Sequence, residues 1–345
     1  MKNIKQIIKE NRRLYAFAQG CMALKDGELA NKIWKINNDK DEIVIEHPGT
    51  KDQGVICYKI SIDDAHAGFF ALMRWICTAL IFSDNRGFKP YVELGESCKY
   101  YEPDWCGENN PFEYYFRPVS EVNKIHVENA SNLVVYQSKH LQELTLAKDF
   151  QLDLKVIKCF AGIWKKYIRL NDDTIDYLNK TDILHRIQEK KTLGVHIRGT
   201  DYRLNYNGHP VAVTVEDEIE VIRDAIEQYG FEQIFVATDE DESLQRIRDI
   251  FGDRVLYCDD AFRSVDGTAV HDSTSDREKH HYHLGLEVLR DVYFLSACTG
   301  LVAGQSNVSF FAMVINNAEN EPYSFCNICN KGFNVNSNVY EKRKV

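Results

Sequence analysis

The stretch Leu193-Gly-Val-His-Ile-Arg-Gly-Thr-Asp-Tyr202 begins as a short apolar strand and ends abruptly in polar and charged groups. In an open α/β sheet, ligands collect beyond the carboxyl ends of the strands. Arg198 can donate two hydrogen bonds to a phosphate, and His196 and Asp201 can orient a base, a sugar hydroxyl or a proton transfer. A surface Arg–Asp pair is the alternative. Both interpretations are compatible with this segment alone.

Strands and helices alternate regularly after this stretch. Thr214 is a suitable helix N-cap, an acidic first turn and a one-sided row of apolar residues follow it, and Gly230 ends the helix. Further strands are predicted at 234–239, 255–258 and 301–304, and further helices at 242–251, 284–297 and 306–315. Such alternation predicts a parallel sheet with helices on both faces, a Rossmann-like domain.

The first half shows the same pattern less regularly. Strands are predicted at 43–45, 56–62, 90–94 and 133–136, and a buried helix at 68–82. The aromatic segment 100–116 is interpreted as a binding loop, with a packing loop as the alternative. The predicted organisation is an N-terminal α/β domain over 1–165, a C-terminal Rossmann-like domain over 166–320 and a tail over 321–345.

Composition excludes several classes of protein. The 345 residues carry a net charge of −10, so an anionic ligand needs a local basic pocket, and nucleic acid is not an expected partner. The segment 68–82 is too short and too polar, with Arg74 inside it, to cross a bilayer. Residues 1–20 contain no apolar signal core, and the ten cysteines have no framework spacing, so a reduced, cytoplasmic protein is expected. Cys326 and Cys329 lack a second pair and are interpreted as free thiols in a loop.

Three further groups complete the candidate site. Asp239 ends the second strand of this half. The turn Gly304-Gln-Ser306-Asn307 precedes a helix whose N-terminus can bind an anion, although Ser306 as an ordinary N-cap needs no ligand. Asp291 lies on a mostly apolar helix, where a guanine edge satisfies both carboxylate oxygens; solvent exposure or a basic partner elsewhere is the alternative.

These residues carry a resemblance. The sequence His196-Ile-Arg198-Gly-Thr-Asp201 resembles the H-x-R-x-x-D signature of GDP-fucose-dependent fucosyltransferases, which include the core α1,6 enzymes, the nodulation-factor enzymes and the protein O-fucosyltransferases. Val236-Ala-Thr-Asp239, Leu289-Arg-Asp291-Val-Tyr-Phe-Leu-Ser296 and the turn at 304–307 follow in a similar order. The similarity covers about 193–315.

The resemblance implies a GT-B architecture, with two Rossmann-like domains facing across a cleft. It also implies inverting transfer of fucose from GDP-fucose to a glycan hydroxyl, without a metal or other cofactor. Carried over by position, Arg198 would bind the β-phosphate, His196 and Asp291 would hold guanine, and Asp239 and Asp201 would shape the pocket. Ser306 and Asn307 would receive the pyrophosphate. A bacterial surface-polysaccharide pathway is the expected setting.

The sequence departs from this family twice. Gly199 stands where the α1,6 enzymes have a second arginine, and Arg263, Arg277 or Lys279 in the segment 262–283 are candidates to supply the missing charge. No acid stands within 203–207, so His209 or Asp201 is the candidate base. The segment 262–283 also contains three histidines, at positions 280, 281 and 283. Their spacing does not suit zinc, and a mobile flap over the donor or a solvated loop is expected.

Two other functions remain as alternatives. A GT-B enzyme that uses another nucleotide sugar would differ in base preference, and a non-catalytic nucleotide-sensing module would bind GDP without transfer. A NAD-dependent oxidoreductase is disfavoured because no G-x-G-x-x-G follows a strand.

Overall fold

The fold is α/β with two parallel sheets, one in each half of the sequence. The computed structural model describes residues 43–51, 54–64, 67–107, 109–144, 146, 147, 149–200, 204–264, 270, 273 and 275–336. Residues 1–20 and Asp201 lie outside this range. Both sheets belong to the compact unit His47–Val345, and the short strand β1 (Ile45–Glu46) belongs to the unit that precedes it, Met1–Glu46.

The first sheet of the unit is small and parallel. Its central strand, β2 (Cys57–Ile60), pairs with β3 (Lys89–Val92) on one side and with β4 (Leu133–Val135) on the other. The elements of this half are β2 (Cys57–Ile60), α1 (Phe69–Arg86), β3 (Lys89–Val92), α2 (Lys124–Glu128), β4 (Leu133–Val135) and α3 (Leu154–Tyr167), with 3-10 turns at Ser138–Glu143 and Phe150–Leu152. The predicted strands and helix are therefore present with shifted ends. The predicted strand 43–45 appears only as the two residues of β1.

The second sheet has five parallel strands in the order β7-β6-β5-β8-β9. Its elements are α4 (Asp172–Asn179), α5 (Ile183–Glu189), β5 (Thr192–Ile197), α6 (Val215–Tyr229), β6 (Gln233–Thr238), α7 (Asp241–Phe251), β7 (Val255–Leu256), α8 (His280–Ala297), β8 (Gly300–Gly304), α9 (Asn307–Glu319) and β9 (Phe325–Cys329). The α/β class and the two parallel sheets that a GT-B-like fold requires are thus confirmed.

The two faces of β5 bury different helices. Leu193, Val195 and Ile197 pack with apolar residues of α6 and α7. The opposite face is closed so tightly by α8 that a Cβ added at Gly194 would lie 3.1 Å from Leu295. Helix α6 ends as predicted, with a Thr214–Asp217 capping box at its start and Gly230 in the left-handed region at its end.

Aromatic side chains join the helices of the two halves. Phe160 of α3 lies 5.1 Å from Phe310 of α9, and Phe70 of α1 lies 5.0 Å from Phe311 (ring centroids). Trp164 of α3 is fully buried against Phe311. Helix α3 of the first half therefore packs against α9 of the second half.

The loop prediction for 325–329 is wrong, and for 100–116 the structure favours the packing alternative. The segment 100–116 contains no helix or strand among its described residues, but most of its rings are buried: Tyr115 stacks on Tyr282 at 5.5 Å and donates a hydrogen bond to the Tyr282 carbonyl. An enclosed ring presents no surface to a ligand, so these residues pack; Tyr101 and Trp105 are partly exposed. Residues 325–329, placed in a tail, form the edge strand β9. Its two thiols are three residues apart on a strand and therefore point to opposite faces.

Candidate functional site

The candidate site lies at the carboxyl edge of the second sheet. The chain moves from β5 outward through β6 to β7, and then returns to the other side of β5 as β8. The loops that follow the adjacent strands β5 and β8 therefore leave the sheet in opposite directions. This divergence opens a crevice between the two loops. Arg198 follows β5 and the turn 305–307 follows β8, so both border this crevice.

Arg198 is held in place by the neighbouring strand end. Its Nη1 lies 2.9 Å from Oδ2 of Asp239, with the two side chains 20% and 12% exposed. Asp239 also accepts the backbone N–H of Gly199 at 2.9 Å and the hydroxyl of Thr200 at 2.8 Å. Burial alone would raise the pKa of Asp239, but the Arg198 guanidinium and these hydrogen bonds bring it below its ordinary value. A permanently charged guanidinium is thus fixed at the strand end with part of its surface accessible.

His196 is buried on the same strand. Burial lowers the pKa of His196 to about 4. The negative charge of Asp239 opposes this shift, and the positive charge of Arg198 adds to it. The ring is therefore neutral at pH 7, with one nitrogen a donor and the other an acceptor. Its Nδ1 has no hydrogen-bond partner within the described part of the chain.

The packing of α8 on β5, with ideal helix and strand rises, places Asp291 on the same side of the sheet as His196 and at a similar level. Helix α8 runs opposite to the strands, and its Leu295 packs on Gly194. Asp291 is one helical turn before Leu295, about 6 Å along the axis, and His196 is two strand residues beyond Gly194, about 6.6 Å. Burial raises the pKa of Asp291 to about 7, although Arg290 and Arg263 oppose the shift. Two guanidinium groups thus influence this carboxyl electrostatically.

The N-terminus of α9 is capped by its own sequence. Ser309 donates its N–H to the Ser306 hydroxyl at 3.0 Å, and Ser306 donates its N–H to Ser309 Oγ at 3.0 Å. The hydroxyl of Ser306 is thus engaged as an N-cap, so an anion at this point would meet the backbone amides and Asn307. Asn307 Oδ1 has no partner within the described part of the chain.

Gly199 is required by close packing. A Cβ at this position would lie 1.9 Å from the carboxyl carbon of Glu240, a buried residue that also accepts a hydrogen bond from Ser243. A second arginine next to Arg198 would displace Glu240. This contact could not be predicted from the sequence, because Glu240 is 41 positions away and the two residues meet only after folding.

The segment after β7 folds back over α8. Arg277 pairs with Glu287, and Arg290 pairs with Asp260 through both terminal nitrogens, at 3.0 and 2.7 Å. Arg263 donates to the Cys258 carbonyl at 2.7 Å and influences Asp291. Arg277 is therefore paired with Glu287, whereas Arg263 lowers the pKa of Asp291.

The three histidines expected in that loop lie instead in the first turn of α8. His280 is buried, and its Nε2 lies 3.2 Å from the hydroxyl oxygen of Ser273. Lys279 precedes the helix with its ammonium 5.3 Å from the centroid of Trp105. Among the described residues, no group of three histidine, cysteine or acidic side chains has the geometry to hold a metal ion.

A cleft of about 370 Å³ lies between the two halves of the unit. Its walls come from α1, from the segment 141–150 and from two positions of the second half, Gly208 and Phe333. The guanidinium of Arg74 lies 5.3 Å from the ring centroid of Phe150 and 5.9 Å from that of Trp75. His209 follows Gly208 and is half-buried, so the candidate base adjoins this cleft. The sequence did not predict Trp75 and Phe150 as site residues.

No protein-family model matches the sequence, and no curated protein matches it. Among solved structures, the chain is similar to NodZ alpha-1,6-fucosyltransferase soaked with GDP-fucose, with 13% identity, a TM-score of 0.44 and coverage of 75% of this chain and 92% of that one. It is also similar to POFUT1 in complex with GDP-fucose, with 10% identity, a TM-score of 0.43 and coverage of 79% and 97%. These are likenesses of backbone arrangement. No helix among the described residues is both long and apolar enough to span a membrane.

Proposed function

We propose that this chain is a glycosyltransferase that moves fucose from GDP-fucose to a hydroxyl of a glycan. The observation that carries the proposal is the fixed guanidinium of Arg198, which Asp239 holds at the edge of the sheet where the strand order reverses. A diphosphate in this crevice would meet Arg198 on one side and the amides at the start of α9 on the other. Both carry positive potential, which is the requirement for a departing nucleoside diphosphate.

Guanine is the base that suits the remaining groups. Its N1–H and N2–H₂ lie side by side and can donate to both oxygens of the Asp291 carboxylate. The neutral ring of His196 supplies a further donor or acceptor at the same level of the sheet. Uracil has a single ring N–H and no amino group, so it would leave one carboxylate oxygen of a buried acid without a donor.

The proposed reaction is a direct displacement with inversion. The acceptor oxygen attacks the anomeric carbon as the bond from that carbon to the β-phosphate oxygen breaks, and the electron pair leaves with GDP. Arg198 and the α9 amides neutralise the charge that develops on GDP. The proton of the acceptor passes to a base, for which His209 and Asp201 are the candidates. This assignment needs no metal ion.

The acceptor belongs, in this proposal, in the cleft beside His209. Ring faces of Trp75, Phe150 and Phe333 with one guanidinium give the mixture of apolar surface and few polar groups that is typical of small-molecule sites. Its volume of about 370 Å³ suits a sugar unit with part of a second one. We propose a bacterial surface polysaccharide, assembled in the cytoplasm, as the source of the acceptor.

The test is a thermal-shift panel of GDP, UDP, CDP and NAD on the wild type, Arg198→Ala and the control Arg223→Ala, whose guanidinium is exposed. We expect selective stabilisation by GDP that only Arg198→Ala abolishes. Stabilisation by UDP instead would indicate another nucleotide sugar. Binding of GDP without hydrolysis of GDP-fucose or transfer to any acceptor would indicate a nucleotide sensor, and no response to all four would refute the donor site.

A further inference from the structure

Gln305 is the residue between the end of β8 and Ser306, the N-cap of α9. Its side chain is 2% exposed. Within the described part of the chain, neither its amide nitrogen nor its amide oxygen has a hydrogen-bond partner. Burying a donor and an acceptor without partners is unfavourable, so a native structure that does so has a reason to keep them.

The hydroxyl groups of the capping box that follows Gln305 in the chain are occupied. Ser306 and Ser309 bond each other in the capping box, and Ser309 also donates to the Gly304 carbonyl at 2.8 Å. Replacing Gln305 with an apolar residue would remove the unfavourable burial at no loss of contacts within the chain. The amide is therefore better explained by a group that enters from outside.

Strand register places Gln305 beside Arg198. His196 pairs with Ala303 on one side, and Ile197 pairs with Thr238 on the other. Continuing both alignments to the strand ends sets Arg198 between Asp239 and Gln305. Asp239 binds the guanidinium from its side, so a ligand held by Arg198 lies within reach of the amide on the other.

We propose that Gln305 recognises the sugar of the donor together with the phosphate that carries it. This rests on the proposed function, in which Arg198 binds the diphosphate. A phosphate offers acceptors only, so it satisfies the amide N–H but not the amide oxygen. A nucleotide sugar has a hydroxyl on the carbon next to the anomeric phosphate, and that hydroxyl donates. Gln305 Nε2 thus donates to a phosphate oxygen and Oε1 accepts from the sugar hydroxyl.

The test is isothermal titration of GDP and GDP-fucose into the wild type, Gln305→Leu and the exposed control Gln245→Leu. We expect the wild type and the control to bind GDP-fucose more tightly than GDP. Gln305→Leu should lose about tenfold in affinity for GDP-fucose and markedly less for GDP, because a hydrogen bond to the sugar is lost only with the sugar present. Its midpoint of thermal unfolding without ligand should not fall, which separates lost binding from lost folding.

Each result has one meaning. Equal losses for both ligands, or no loss for either, would overturn sugar recognition by Gln305 while leaving the donor site intact. A wild type that binds neither ligand would refute the proposed function itself. GDP-mannose serves as a second sugar: if it replaces GDP-fucose as the preferred ligand and Gln305→Leu removes that preference, the role of Gln305 stands and the donor changes.

Discussion

Replacement of Asp291 with asparagine should stabilise the free protein and weaken nucleotide binding at the same time. Burial raises the pKa of this carboxyl from an ordinary 3.8 to about 7. The folded chain therefore holds the proton more tightly than the unfolded chain, so stability falls as the pH rises from about 4 to about 7 and stays lower above that. The difference corresponds to ~4 kcal/mol at most.

Since Asp291 keeps some contact with solvent, we expect asparagine to recover about 2 kcal/mol at pH 8 and less than half of that at pH 5, where the carboxyl is ionised in the unfolded chain but still protonated in the folded one. For a compact unit of this size, that is a rise of about 3 °C in the midpoint of thermal unfolding at pH 8. The measurement compares the wild type, Asp291→Asn and the exposed control Asp176→Asn at both pH values without ligand. The control should match the wild type throughout.

The same variants report on guanine. An asparagine amide offers one acceptor where the carboxylate offers two, so Asp291→Asn should lose at least about tenfold in GDP affinity. Wild-type affinity for GDP should rise between pH 6 and 8 as the carboxyl ionises, and the variant should show no such rise. A gain in stability that is equal at pH 5 and pH 8 would refute the burial argument. An unchanged preference for GDP over UDP would refute the guanine role.

Three further predictions follow from the contacts. Gly199→Ala should lower the unfolding midpoint by an amount equivalent to about 1–3 kcal/mol, because its Cβ meets the Glu240 carboxyl; an unchanged midpoint would show that Glu240 is free to move. Ser306→Ala should lower the free energy of unfolding by about 1 kcal/mol, because the N-cap of α9 is lost. It should change GDP affinity little, since the backbone amides bind the anion. A large loss of affinity measured by titration would show that the hydroxyl itself binds. Glu218 is buried with neither oxygen paired in the described part of the chain, and burial raises its pKa well above 4.5. Glu218→Gln should therefore raise the unfolding midpoint by an amount that grows as the pH increases from 4.5, and a pH-independent difference would count against this.

The sequence alone predicted the elements whose signals are local. The cap at Thr214, the apolar row after it and Gly230 define α6 within 17 residues, and the observed helix has those ends. The placement of Arg198 and Asp239 at strand ends also followed from local pattern, and because neighbouring parallel strands end at one edge, their pairing could be anticipated.

Contacts between distant segments were decided only by the tertiary structure. The pattern of aromatic residues in 100–116 predicted a binding loop, but Tyr115 is covered by Tyr282 in the folded chain. Residues 325–329 form a strand because they pair with the edge of β8. The roles of Gly199 and Gln305 were also visible only in the structure. Gly199 closely approaches Glu240, and the Gln305 amide is buried without a partner in the described part of the chain. Periodicity and caps are properties of a few consecutive residues, whereas burial and partner choice depend on which segments meet after folding.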